Sequence, residues 1–307
     1  MNTVLLSHYE VAPLRQAYAR GRRTATVSAD LGRTSLAVTL DPEGVHFADG
    51  VLLTWEQADR ILAHPNAVFA WTPEGWQRVR AFSPLTGRSV ALYPTGPGRA
   101  PTLLIAGIPM HRVRGTDPWR DTQAKVRALR PRGRVLDTCF GLGYSAWAAA
   151  RTADSVLSVE LDPAVLAVAR RNPWSVAALN HPKVNVVQAD VARLLAGMPR
   201  HAFSAILHDP PQFALAGELY GADFYEHLWR VLKPGGRLFH YVGNPGTKMG
   251  RNVTRGVMER LRGVGFARVK PVPRAGGVLA VKPRGAHPHR TGGAARRDGR
   301  ARRTRRR

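Results

Sequence analysis

The chain has 307 residues, enough for one large domain or two of ordinary size, and its 44% apolar content can bury a sizeable core, which excludes wholesale disorder. Lys plus Arg number 46 against 21 for Asp plus Glu, so the formal charge is +25, an imbalance that points to a polyanionic partner, nucleic acid first. The single cysteine, Cys139, excludes an internal disulfide, a cysteine zinc cluster and a CxxC redox pair, and it fits a reducing compartment.

Met1 to Ala12 lacks the basic segment followed by an apolar stretch that marks a secretory signal, and no later stretch approaches the ~18 apolar residues of a membrane span. A soluble, cytoplasmic protein with no membrane partner is the expectation.

Residues 1–94 read as short strands punctuated by turns: Thr24 to Ala29, Thr34 to Leu40 before Asp41-Pro42-Glu43-Gly44, Val45 to Ala48, Val68 to Trp71 and Val90 to Tyr93. Thr54 followed by Glu56 to Leu62 looks like a capped helix among them. This predicts a small β-rich domain without a chemical motif of its own, suited to orienting RNA. The run from Pro94 to Pro101, with two Gly and three Pro in eight residues, fits neither a helix nor a central strand, so residues 95–101 are expected to be a linker.

Beyond it the pattern alternates over residues 102–281. Apolar, β-rich runs occur at Arg134 to Asp137, Val156 to Leu161, Val184 to Gln188, Ala205 to His208 and Arg237 to Val242. Helical stretches lie between them at Ala146 to Arg151, Ala164 to Arg171, Val191 to Leu195 and Phe224 to Val231. Phe266 to Val272 and Val278 to Val281 read as a terminal hairpin. Such alternation predicts an α/β, Rossmann-like domain with a mostly parallel sheet covered on both faces. Residues 282–307 hold eleven Lys or Arg against the single acid Asp298 and keep no apolar periodicity, which predicts a disordered basic tail.

Strand one of this domain ends in Asp137 and turns through Gly141-Leu142-Gly143 into a helix, the place where a doubly wound sheet binds a nucleotide-like ligand. The glycine pattern alone leaves NAD and S-adenosylmethionine (SAM) both open. Glu160 ends strand two, with Asp162 two positions on, and can accept ribose hydroxyls; Asp190 follows strand three and could receive an adenine amino group. Each acid alone reads equally well as a helix cap.

His208-Asp209-Pro210-Pro211-Gln212-Phe213 ends strand four. Consecutive prolines remove two backbone donors and fix an extended turn, freeing the Pro210 carbonyl to face a ligand. With the Asp209 carboxylate it forms a pair of acceptors suited to an NH2 group whose nitrogen lone pair points at an electrophilic methyl, so the motif suits methylation of nitrogen. Such a transfer needs positioning rather than a metal or nucleophile. The catalytic candidates are therefore Asp209, Pro210 and Pro211. The histidines His111, His208 and His240 read as structural, and no metal is expected.

In this order Asp137 to Gly143, Glu160, Asp190, Asp209-Pro210-Pro211 and Leu232-Lys233-Pro234-Gly235-Gly236-Arg237-Leu238 resemble the class I SAM-dependent methyltransferases. Gly107-Ile108-Pro109-Met110-His111-Arg112, Gly115-Thr116-Asp117-Pro118-Trp119, Leu215 to Tyr220 and Phe239 to Gly243 look more closely like a largely archaeal family of predicted methyltransferases, associated with cytosine-N4 methylation of ribosomal RNA. The resemblance implies a seven-stranded sheet with a terminal hairpin and SAM as cofactor. It places the methionine part at Asp137, Gly141 and Gly143, the ribose at Glu160, the adenine at Asp190 and the target amine at Asp209.

Gln212 departs from the aromatic residue that amino-methylating enzymes of nucleic acids usually place there, leaving Phe213, Tyr220 or Tyr241 to stack on a flipped base. Lys248 and Arg251 are candidates for phosphate contacts. The leading expectation is thus methylation of an exocyclic amine of ribosomal or transfer RNA, cytosine N4 or guanine N2. The alternatives are a transferase acting on a small-molecule or protein amine, including aminopropyl transfer, and a non-catalytic RNA-binding or ribosome-assembly protein. A basic cleft would count against a polycationic substrate.

Overall fold

A computed structural model describes residues 4–213, 215–243 and 248–285. Its centre is a seven-stranded sheet: β1 (Arg134–Asp137), β2 (Ser155–Glu160), β3 (Val184–Gln188), β4 (Phe203–His208), β5 (Leu232–Tyr241), β6 (Ala267–Val272) and β7 (Gly277–Val281), in the order β3-β2-β1-β4-β5-β7-β6. The first five strands run parallel and β6–β7 is the antiparallel hairpin. The expected Rossmann-like, SAM-dependent methyltransferase fold with a small β-rich N-terminal part is therefore present.

The central strands read as continuous apolar runs because helices cover both faces: Val135, Leu136, Ile206 and Leu207 are all completely buried. Chain order reverses between β1 and β4, so the crevice lies beyond their C-terminal ends. Asp137, Glu160 and His208 are the last residues of β1, β2 and β4, and Asp209 follows directly. The topology thus gathers these residues, far apart in sequence, at one edge.

Helices at His8–Ala19, Pro118–Leu129, Val176–Leu179 and Lys248–Gly263 escape the sequence reading, and the first two show why. His8–Ala19 opens with a full capping box from Ser7 and Glu10, but Pro13 lies inside it, a residue that argues against a helix interior when only sequence is considered. Pro118–Leu129 is capped by Asp117, whose carboxylate accepts the Trp119 and Arg120 amides at 3.0 Å. Its apolar face is interrupted by the buried Asp121, Thr122 and Lys125, which hides the period.

The run from Pro94 to Pro101 does not separate two bodies. It joins the strands Arg88–Tyr93 and Thr102–Ile105, which pair antiparallel with Tyr93 opposite Thr102. One core cluster includes Val90, Leu92 and Leu103 together with Leu129, Val135 and Tyr144. A second core, drawn from residues 4 to 76, belongs to the N-terminal part alone. The proline-rich loop is tied down by Tyr144, whose hydroxyl donates to the Pro101 carbonyl at 3.0 Å and accepts from the Asn172 amide at 2.9 Å.

The expected tail begins one residue too early. Lys282 is fully buried; its ammonium donates to the Trp229 and Leu232 carbonyls at 2.6 and 2.8 Å and sits 3.7 Å above the Trp229 ring. Burial lowers its pKa to about 8. Residues 286–307 of the expected tail lie outside the described residues. Among the described residues no helix is long and apolar enough to cross a membrane.

Tyr144→Phe will strand two buried polar groups and lower stability by about 1–3 kcal/mol, measured by urea denaturation. Because the shared core couples the two parts, the variant will still unfold in a single transition; two separated transitions would contradict the coupling.

Candidate active site

A cavity lies at the C-terminal ends of β1, β2 and β4, walled by the loop Thr138 to Gly141, by Glu160 to Asp162, by Ala189 to Ala192, by Asp209 to Pro211 and by Leu215 to Leu219. The N-terminal part closes it. At the tip of the hairpin formed by Arg80–Ser83 and Arg88–Tyr93, the Thr86 hydroxyl donates to Asp162 at 3.3 Å and the Arg88 guanidinium donates to the Leu215 carbonyl at 3.4 Å. The β-rich part thus supplies a wall of this cavity.

Five carboxylates line it: Glu160, Asp162, Asp190, Asp209 and Glu218. The lining cations are Arg88 and, in principle, His111, but burial drives the His111 pKa down to about 3, so its ring is neutral. A chain of charge +25 therefore encloses an acidic cavity. The expectation of a basic cleft, and with it the argument against a polycationic substrate, is corrected.

Glu160 accepts the Gly141 amide at 2.9 Å and the Asp162 amide at 3.0 Å, one on each oxygen, which fixes the carboxylate while leaving lone pairs towards the cavity. Asp162 and Asp190 are helix caps, accepting the Ala164 and Ala192 amides at 2.8 Å, and line the cavity as well. Gly141, at φ 55°, lines the cavity, and a Cβ there would meet nothing within 4 Å.

Asp137 and Gly143 are placed differently. Asp137 is fully buried behind the cavity wall, accepting from Ser145 at 3.0 Å and Ser158 at 2.5 Å. Burial raises its pKa to about 7 in spite of those hydrogen bonds. Gly143, at φ 74°, serves packing, because a Cβ would stand 2.5 Å from the Phe140 ring.

Asp209, Pro210 and Pro211 all line the cavity. The Pro211 carbonyl accepts from the Tyr220 hydroxyl at 2.9 Å, and no donor among the described residues reaches the Pro210 carbonyl. Sequence reasoning missed the partner of Asp209. Lys125, completely buried on the helix Pro118–Leu129, places its ammonium 2.7 Å from Asp209 and 3.0 Å from Asp121, and 3.8 Å above the Tyr241 ring. Arg112 pairs with the far side of Asp121. Two cations thus balance two anions. Burial works against the Lys125 ammonium, but Asp209 and Asp121 outweigh it and hold its pKa above the ordinary lysine value. Burial pushes the Asp209 carboxyl up, and Lys125 opposes it.

The aromatic candidates do not converge as a base-stacking platform. Phe213 is exposed and meets Tyr220 edge-on at 5.4 Å; Tyr220 is buried as a brace for Pro211; Tyr241 lies against Lys125. Lys248 begins the helix Lys248–Gly263, and Arg251 lines a separate shallow groove with Arg255 and Arg262. His208 accepts from Thr138 at 2.7 Å and donates to the Leu219 carbonyl at 2.9 Å, and burial lowers its pKa to about 4, so it is a neutral structural histidine.

No family model matches the sequence. The chain is 47% identical over 196 residues to the uncharacterized protein MJ1233 of Methanocaldococcus jannaschii, covering 63% of this chain and 67% of that protein. The chain belongs to that protein's family. Over 98 residues it is also 37% identical to a polyamine aminopropyltransferase of Mycobacterium tuberculosis, a match covering 30% of this chain and only 19% of the relative. Among solved structures, a spermidine synthase in complex with the transition-state analogue AdoDATO superposes with a TM-score of 0.56 at 17% identity, over 68% of this chain and 74% of that one.

These relatives overturn the expected kinship with a family of ribosomal RNA cytosine-N4 methyltransferases. RNA methylation and an RNA partner go with it. Named relatives include polyamine aminopropyltransferases and, at 34% identity over 157 residues, a protein-L-isoaspartate O-methyltransferase of Methylorubrum extorquens. The physical reason is in the cavity: its acidic lining repels a phosphate backbone, and the extreme charge that suggested nucleic acid resides elsewhere on the chain.

Lys125→Met will leave Asp121 and Asp209 buried without their shared cation, costing about 3–5 kcal/mol of stability at pH 8. In the variant the Asp209 carboxyl, already pushed up by burial, loses the ammonium that opposed that shift, so the native state binds more protons than the unfolded one. The deficit will therefore shrink as pH falls towards 5, as read from urea midpoints at the two pH values. Asp137, by the same sign, contributes stability that is present below the ordinary aspartate pKa and lost as pH rises to about 7. Asp137→Asn will accordingly gain on the wild type across that window in the same measurement.

Proposed function

We propose that this protein transfers an alkyl group from a SAM-class sulfonium nucleoside to the amine of a small cationic acceptor, in the form of aminopropyl transfer from decarboxylated SAM. The observation that carries this reading is the sign of the cavity: besides Asp209, which Lys125 balances, four carboxylates line it against the single guanidinium of Arg88. Polyamines and a sulfonium donor are both cations, so both gain from such a lining. Intact SAM would bring its α-carboxylate into this acidic lining, whereas the decarboxylated donor lacks that anion and keeps both its sulfonium and its ammonium charge. The local relationship to polyamine aminopropyltransferases supports the same choice.

The sulfonium donor supplies an already activated carbon: its C–S bond breaks with the electron pair leaving on sulfur as the new C–N bond forms. The protein's part is positioning and proton handling. Glu160 and Asp190 provide acceptors at the ends of β2 and β3 for the ribose and the adenine amine, and Gly141 allows the backbone close approach. A free aliphatic amine has a pKa of about 10 and must lose a proton before it can attack. Asp209 accepts an N–H of the acceptor on the oxygen that Lys125 leaves available, and the Pro210 carbonyl takes a second, which aims the nitrogen lone pair away from both. The adjacent Lys125 ammonium disfavours a second positive charge at that nitrogen and so favours the neutral, reactive amine. The proton released as the C–N bond forms leaves through Asp209 to solvent.

With decarboxylated SAM and putrescine or spermidine, the purified protein will release methylthioadenosine and an aminopropylated amine, detected by mass spectrometry. Asp209→Asn will lower turnover by about 10²–10⁴-fold while donor binding, measured separately, stays within a few-fold. Turnover with SAM as methyl donor but none with decarboxylated SAM would overturn the aminopropyl assignment.

A further inference from the structure

The opposite end of the sheet carries a second concentration of charge. A basin there is bordered by Pro131 and Arg132 before β1, by Ser204 and Ala205 of β4 and by Gly235 and Arg237 of β5, near the N-terminal starts of the strands. Five arginines line it, Arg127, Arg130, Arg132, Arg151 and Arg237, and no acid does. Among the described residues none of the five is in an ion pair.

Local structure accounts for part of this cluster. Arg127 and Arg130 lie at the C-terminal end of Pro118–Leu129 and Arg151 caps Tyr144–Ala150, positions where a helix end attracts a cation. Arg132 and Arg237 have no such reason. Arg237 donates to the Ala128 carbonyl at 2.9 Å, yet its Nε is buried with no partner. Its pKa is lowered by burial and by the nearby Arg130. Arg130 itself holds φ 53°, the left-handed position at a helix end that glycine occupies without strain. Like charges are crowded together, one in a strained conformation, with a buried donor unanswered.

We propose that this basin is a binding site for a compact oligophosphate anion, a triphosphate chain in particular. Guanidinium forks match phosphoryl oxygens in geometry as well as charge, and several converging on a concave surface suit a short, multiply charged anion. The site is separate from the donor cavity, which lies at the other end of the same strands. It does not depend on the aminopropyl reading, since it involves none of the residues assigned there.

The test is isothermal titration of the full chain with tripolyphosphate, orthophosphate and ATP at near-physiological salt. Tripolyphosphate is expected to bind saturably at one per chain, and at least tenfold more tightly than orthophosphate. The exposed-residue variant Arg127→Ser/Arg132→Ser/Arg151→Ser will weaken it at least tenfold without altering the urea midpoint, whereas Arg302→Ser/Arg303→Ser/Arg305→Ser will leave it unchanged. ATP bound equally, or more tightly but with the same loss in the basin variant, identifies free oligophosphate or a nucleotide respectively as the source of the chain. Absence of saturable tripolyphosphate binding, or binding that survives the basin variant, would overturn the proposal.

Discussion

A lysine ammonium with no solvent exposure survives only where carboxylates surround it, and Lys125 has two, Asp121 and Asp209. Much of the candidate site hangs on that arrangement. The helix Pro118–Leu129 carries Lys125 and Asp121, β4 delivers Asp209, and Tyr241 of β5 closes the ammonium from below. Three elements are thereby locked in register at the point where an acceptor amine would be held. The cluster is neutral as a whole, since Arg112 completes it, so it fixes the direction of the Asp209 carboxylate without making the acceptor end of the cavity basic.

The distribution of charge matters more than its total. The net charge of +25 suggests a polyanion, yet the cavity is lined by five acids and one arginine. Cations gather instead at the N-terminal ends of the sheet strands, where five arginines share one basin. A net charge sums over surfaces that no ligand meets together, and only the fold says which charges share a site. The two ends of the sheet are suited to ligands of opposite sign.

The alternation of apolar strands and helices made the seven-stranded sheet legible, because a strand covered on both faces shows a continuous apolar run. That Glu160, Asp190 and Asp209 line one cavity was legible for a related reason: acids and prolines at strand ends lie along the crevice of this topology. Lys125 was not. Asp121 and Lys125 are spaced like an ordinary exposed ion pair on a helix, and nothing local marks the pair as buried. The Pro94 to Pro101 run misled in the other direction, since proline and glycine mark a tight hairpin loop as readily as a linker; only the pairing of Tyr93 with Thr102 decides. The role of Thr86 and Arg88 in closing the cavity also depends on long-range packing of a hairpin against distant loops.

The central claim is that an acidic cavity organised around Asp209 receives a small cationic amine. Its most direct measurement is the equilibrium binding of spermidine to the protein saturated with methylthioadenosine, a combination that cannot react. The account predicts one amine bound per chain, with affinity weakened by Asp209→Asn and by added salt. No saturable amine binding, or affinity indifferent to Asp209, would contradict it.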